Sequence, residues 1–249
     1  MNCVILQPSY IPWRGYFHQV WKADCFIFYD DVQYDSRGWR NRNRIKTPHG
    51  PKWLTIPVHH KGCQTEHRLI RDIRISSDMP WALKHWRTVE QCYSKAPFFH
   101  HYAPLFQELY CTPSELLCDF TIEMTIALAR ELGMWRTQFL RASELEAQGT
   151  KTDRLVELLT RVNATNYISG PSARDYLDEG KLLGAGITVE YMNYSYPEYE
   201  QLYPPYDAGV SILDLLFMKG PDTLDFIVDA ETPAAIATAS SGETRYEAA

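Results

Sequence analysis

The side chains best suited to binding or chemistry lie between Gln7 and Lys46. In Gln7-Pro8-Ser9-Tyr10-Ile11-Pro12-Trp13-Arg14-Gly15-Tyr16, two prolines and a glycine fix the backbone, while Gln7, Tyr10, Trp13 and Tyr16 offer donors, acceptors and stacking faces. Such a loop is built to hold a ligand. Asp30, Asp31 and Gln33 follow; Asp31 can take a proton from an incoming amine or accept bonds from sugar hydroxyls, and it can equally pair with Arg42 or Arg44. The run Trp39-Arg40-Asn41-Arg42-Asn43-Arg44-Ile45-Lys46 is the strongest positive cluster of the chain. Its alternation of Asn and Arg reads as a hydrogen-bonded network whose buried members need partners.

Further groups lie downstream. His85, beside Trp86, suits either acid–base work or a core or capping role. Ile168-Ser169-Gly170-Pro171-Ser172-Ala173-Arg174 places a glycine turn before an expected helix, so that Ser169, Ser172 and Arg174 can meet an anion; Ser172 can equally be a plain N-cap. The stretch His59 to His67 holds several potential metal ligands, but their spacing lacks the rigid paired turn of a zinc site, and no metal is expected. Ser211 and Asp214 form a Ser-x-x-Asp pattern akin to a capping box. None of the six cysteines falls in a nucleophile turn, which disfavours covalent thiol catalysis.

The elements that position these groups alternate between strand and helix. Short apolar runs at 3–6 and 25–29 read as strands buried on both faces, with a helix from Gly15 to Asp24 between them. Strands are also expected at 53–58, 69–75, 139–140, 166–169 and 187–192. Helices are expected at 151–162, 172–179 and 212–219. The spacing predicts a mostly parallel, Rossmann-like α/β sheet with a helical insertion at about 80–135, its ligand site lying beyond the carboxyl ends of the strands. Residues 1–229 are expected to form a single α/β domain, and 230–249, poor in large apolar groups, a flexible tail.

A formal net charge of −6 and a pI near 5.8 argue against a general nucleic-acid binder. No apolar run approaches the ~20 residues needed to span a bilayer, and the first residues lack a signal peptide's pattern, so a cytoplasmic location without membrane partners is expected.

The segments QPSYIPWRGYF, DDVQY, WRNRNRIK, WLTIPV, KHWRTVEQCYSKAPFF, NYISGPSARDYL and YEQLYPPYDAGVSILDLLFMKG resemble the WbqC-like family, associated with bacterial O-antigen and related biosynthetic gene sets. The family motif falls on Trp39, Asn41, Arg42 and Asn43, which favours a functional role over a solvated loop and marks Trp39, Asn41 and Asn43 as substrate contacts. The resemblance implies an N-acyl or aminoacyl transferase that forms an amide on an amino sugar or related amine in polysaccharide or secondary-metabolite biosynthesis. An activated acyl thioester or a nucleotide is then a possible cofactor, and an acyl carrier protein a possible partner. Under this reading Asp31, His85 and Arg42 are the catalytic candidates and Gln7, Tyr10, Trp13, Tyr16 and Gln33 join the substrate contacts.

Trp13-Arg14-Gly15-Tyr16 also occupies the place of an HxGH-type motif, and the segment at 168–174 is similar to an ISSTxxR-like turn. These implicate a nucleotidylyltransferase-like arrangement and, as an alternative function, an ATP-dependent nucleotidylyl or adenylate-forming enzyme, although aromatics replace both histidines. A non-catalytic sugar- or carrier-binding protein is the third reading.

Overall fold

The computed structural model describes residues 1–59 and 67–228. Its centre is a five-stranded parallel sheet in the order β5-β2-β1-β6-β7, built from β1 (Asn2–Leu6), β2 (Cys25–Phe28), β5 (Gln138–Arg141), β6 (Asn166–Ser169) and β7 (Thr188–Tyr191). The continuous apolar character of the central strands follows from burial on both sides. Successive side chains leave opposite faces of a strand, so Val4, Phe26 and Phe28 enter one core while Cys3, Ile5, Cys25 and Ile27 enter another.

The first core is covered by α1 (Arg14–Lys22), α2 (Trp81–Tyr93), α3 (Phe99–Cys111), α4 (Leu117–Glu131) and α7 (Ile212–Lys219). The second is covered by α5 (Lys151–Arg161) and α6 (Glu179–Gly184), through Leu155, Leu158, Leu159 and Leu182. This is a Rossmann-like α/β fold of three layers. The helical insertion, α2 to α4, lies between β2 and β5 and follows a hairpin of β3 (Arg42–Thr47) and β4 (Gly50–Thr55). Among the described residues, no helix is long and apolar enough to cross a membrane.

The chain runs outward from β1 to β2 and β5, then returns to the other side of β1 with β6 and β7. That reversal opens a crevice at the carboxyl ends of the strands. The loop leaving β1 walls it and is held in a strained shape: buried Ile11 sits at φ 37°, a conformation β-branched residues rarely adopt. A Cβ on Gly15 would fall 2.3 Å from the Trp13 ring, so only glycine lets that ring lie against the start of α1.

One strand was not expected, and two local expectations are corrected. The charged run at 42–47 is a strand, β3, because Asn43, Ile45, Lys46 and Thr47 are buried and the polar ones find partners. Residues 69–75 form a 3₁₀ turn at Ile70–Asp72 flanked by single β-bridges, since the buried Ile70 and Ile73 lie three apart. The helix expected at 172–179 is instead a 3₁₀ segment, Pro171–Asp175, followed by α6, which Asp178 caps through the Lys181 amide. The expected tail at 230–249 lies outside the described residues.

Candidate functional site

A cavity of about 1180 Å³ opens at the carboxyl end of β1. Ile5, Leu6 and the loop from Gln7 to Tyr16 make one wall, Tyr29 and Tyr167 enter from the flanking strands, and Lys151, Thr152 and Leu155 come from the first turns of α5. Trp39, Arg40, Asn43 and Arg44 close it from the hairpin side, with Ala208 and Gly209 from the loop before α7.

Its electrostatics are one-sided. Arg40, Arg44 and Lys151 line it, whereas no Asp, Glu, His or Cys does so among the described residues. Burial pushes the pKa of the Arg40 guanidinium down, against the attraction of Tyr16 and Asp35, and its Nε is buried without a hydrogen-bond partner. Arg44 donates from Nε and Nη2 to the Gly209 carbonyl at 3.0 and 2.7 Å, with the Asp207 carboxylate 3.7 Å away. A Cβ at position 209 would fall 2.0 Å from Arg44 Nη2, so glycine is what permits this approach. Lys151 begins α5 at φ 52°, a strained conformation for a lysine, at the positive end of that helix. Burial raises the phenols of Tyr16, Tyr29, Tyr167 and Tyr176, keeping them protonated donors. The cavity thus offers cations, donors and flat rings, groups of the kind that can hold an anion or stabilise developing negative charge.

A smaller cavity of about 610 Å³ adjoins the carboxyl ends of β2 and β5 and is lined by Asp31, Arg71, Ser143 and Arg154 among others. Asp31 forms an ion pair with Arg154, yet burial raises its carboxyl above the usual range and its Oδ1 has no partner. The Arg154 guanidinium lies 5.9 Å from the ring of Tyr29, which lines the large cavity. Tyr29 and Arg154 therefore stand between the two spaces.

Of the residues singled out from sequence, Gln7, Trp13, Tyr16, Trp39 and Asn43 meet in the large cavity. The others do not converge on it. Tyr10 is fully buried, and its hydroxyl is hydrogen-bonded to Tyr110 and to His85 Nδ1, the latter at 2.8 Å. His85 accordingly sits in an aromatic layer with Trp81 and Phe120, where burial lowers its imidazole to about 4. That is a packing role, and its position offers no proton to the cavity.

Asn41 is turned inward, donating to the Ile56 carbonyl at 2.9 Å, and Gln33 forms a β-bridge with Leu69. Arg42 donates to the Arg37 carbonyl and its guanidinium lies 5.1 Å over the Trp53 ring. Asp31 faces the smaller cavity and pairs with Arg154, not with Arg42 or Arg44. The neighbouring Asp30 is fully buried, accepting from the Ser143 amide and hydroxyl at 2.9 and 2.7 Å.

The anion site expected at 169–174 is not assembled. Ser169 is buried with its hydroxyl on Tyr167, Ser172 is exposed on a 3₁₀ segment, and Arg174 stacks 4.6 Å over Tyr191. Ser211 stands at the N-cap of α7 but its buried hydroxyl makes no cap bond, and Asp214 turns inward to accept from Tyr93 and Tyr199 at 3.0 and 2.8 Å. Residues 60–66, which hold most of the possible metal ligands between His59 and His67, lie outside the described residues; among those described, no three His, Cys, Asp or Glu side chains cluster as a metal site.

Sequence reasoning marked the run 39–46 but chose Arg42 within it in place of Arg40 and Arg44, and it missed Lys151. A positive run next to a tryptophan, and a lysine opening the helix after the third parallel strand, were the available signals.

Fold and site together define an α/β protein with a cation-lined cavity at the switch point of a parallel sheet. Residues 7–226 match the WbqC-like protein family, and the chain belongs to it. It is 41% identical over 228 residues, 90% of this chain and 96% of the relative, to an uncharacterised protein of Mycobacterium tuberculosis. No solved structure matches.

Proposed function

We propose that this protein is an amide-forming transferase that moves an acyl or aminoacyl group onto an amino sugar or related amine in polysaccharide or secondary-metabolite biosynthesis. The observation that carries the reading is the convergence of Arg40, Arg44 and Lys151 in the cavity at the end of β1, where no carboxylate is among the lining groups of the described residues and Asp207 stands behind Arg44 at 3.7 Å. Sugar nucleotides and coenzyme A or carrier-bound thioesters all bear phosphates, which such a cavity attracts. At about 1180 Å³ it also exceeds the ~300–1000 Å³ of ordinary small-molecule sites, leaving room for donor and acceptor together.

In this reaction the amine nitrogen attacks the acyl carbonyl, a C–N bond forms, and the thiolate leaves with the electron pair of the C–S bond. Arg40, Lys151 and the protonated tyrosines hold the oxyanion that develops on the carbonyl. The departing thiolate takes up the proton that the amine loses, so the step balances without a protein base in the cavity. Direct attack needs no protein nucleophile, in keeping with a cavity that has no lining thiol among the described residues.

The ATP-dependent alternative draws less support. Trp13 and Tyr16, at the histidine positions of the HxGH-like segment, line the cavity but bring no imidazole, Arg14 is bound to the Pro197 carbonyl at 2.9 Å and the Tyr206 hydroxyl at 2.7 Å, and residues 168–174 are not among the lining. Incubation with a panel of amino-sugar nucleotides and acyl thioesters, followed by mass spectrometry, should reveal an amide that Arg40→Ala and Lys151→Ala each diminish. Pyrophosphate release dependent on ATP would replace this reading with adenylation. Ligand binding with no product from any pair would replace it with a sugar- or carrier-binding role.

A further inference from the structure

We infer that the exposed Trp39 and Trp53 pair is a stacking subsite for a nucleobase, and that the ligand of the cavity is a nucleoside diphosphate or a molecule containing one. The inference deepens the reading of the cavity as a phosphate-binding site and rests on it. Trp39 belongs to both places: it lines the cavity, and its ring centroid lies 5.1 Å from that of Trp53. The two indoles are 46% and 45% exposed, which leaves ring faces open to a ligand.

The hairpin that carries Trp53 is anchored without it. Ile45 and Leu54 enter the core, and Asn43 ties β3 to the loop leaving β1. On the outer face, Arg44 stands opposite Trp53 in the strand register, and the guanidinium groups of Arg42 and Arg44 lie 5.1 and 5.9 Å from its ring. Flat rings interleaved with arginines stack bases and attract the attached phosphates at once. The next residue after Trp39 is Arg40, so a base against the indoles sets its diphosphate at the cations of the cavity.

The test uses UDP, ADP and inorganic pyrophosphate as probes, with calorimetry and quenching of tryptophan fluorescence on the full chain. UDP and ADP should bind about tenfold more tightly than pyrophosphate, and Trp53→Ala, outside the cavity lining, should erase that advantage while leaving pyrophosphate affinity unchanged. Arg40→Ala should weaken all three probes. Trp53→Leu, with its melting temperature recorded, serves if the alanine variant does not fold. Equal affinity for nucleotides and pyrophosphate overturns the subsite but leaves the phosphate site standing. A loss in the tryptophan variants matched by loss of a simple sugar phosphate also overturns it, since the rings would then stack a sugar. If none of the probes binds, subsite and phosphate site fall together, whereas tryptophan-dependent nucleotide binding with no amide product upholds the subsite and removes only the reaction.

Discussion

The side-chain amide of Asn43 donates to the backbone carbonyl of Ile11 at 2.7 Å, clasping the hairpin to the strained loop that leaves the central strand. The same amide donates to the Tyr10 carbonyl at 3.1 Å, while the Asn43 side-chain oxygen accepts from the Arg44 amide at 2.8 Å. One buried residue thereby sets the loop and Arg44 together. Asn43→Ala leaves these backbone groups unpaired, and it should lower the unfolding free energy by about 2 kcal/mol and loosen ligand binding. Urea denaturation beside calorimetry reads both; an unchanged midpoint would contradict the clasp.

Arg40 should trade stability for binding. Its guanidinium is held down by burial and has an unpartnered Nε, a desolvation cost that a ligand anion would offset. Arg40→Met should therefore raise stability by about 1 kcal/mol while cutting affinity for an anionic ligand at least tenfold, a difference of ~1.4 kcal/mol. A variant that loses stability along with affinity would show the arginine to be part of the scaffold.

His85 makes the fold acid-sensitive. Burial lowers its imidazole from 6.5 to about 4 in the folded chain, so between those values the unfolded chain binds a proton that the folded one excludes. The stability that neutral His85 contributes is complete above pH 6.5 and is lost as the pH falls through about 4, a change on the order of 3 kcal/mol. Comparing unfolding at pH 7 and pH 4.5 should show this loss in the natural protein and a much flatter response in His85→Gln. Equal acid sensitivity in both would assign it to other groups.

The sheet was legible because its signals are local. Cys25-Phe26-Ile27-Phe28 is apolar without a break, as only a strand buried on both faces requires, and the helical spacing at 81–93 and 151–161 needs no knowledge of partners. β3 escaped notice because its buried positions include Asn43 and Lys46, whose polarity hides the period until partners such as the Pro205 carbonyl are known. The loop at 7–16 was recognisable as part of a binding site, but not that Tyr10 leaves it for the aromatic layer.

Taken alone, the chain of residues determined the parallel sheet, the helices that cover it and the edge at which its loops open, since each depends on neighbours a few positions away. Only the tertiary structure decided which cation meets which carboxylate and which side chains share a cavity. The partner of Asp31 is Arg154, 123 positions along the chain, and the carbonyl that holds Arg44 belongs to Gly209, 165 positions away. Such pairings are set by how distant elements pack, and no local period encodes them.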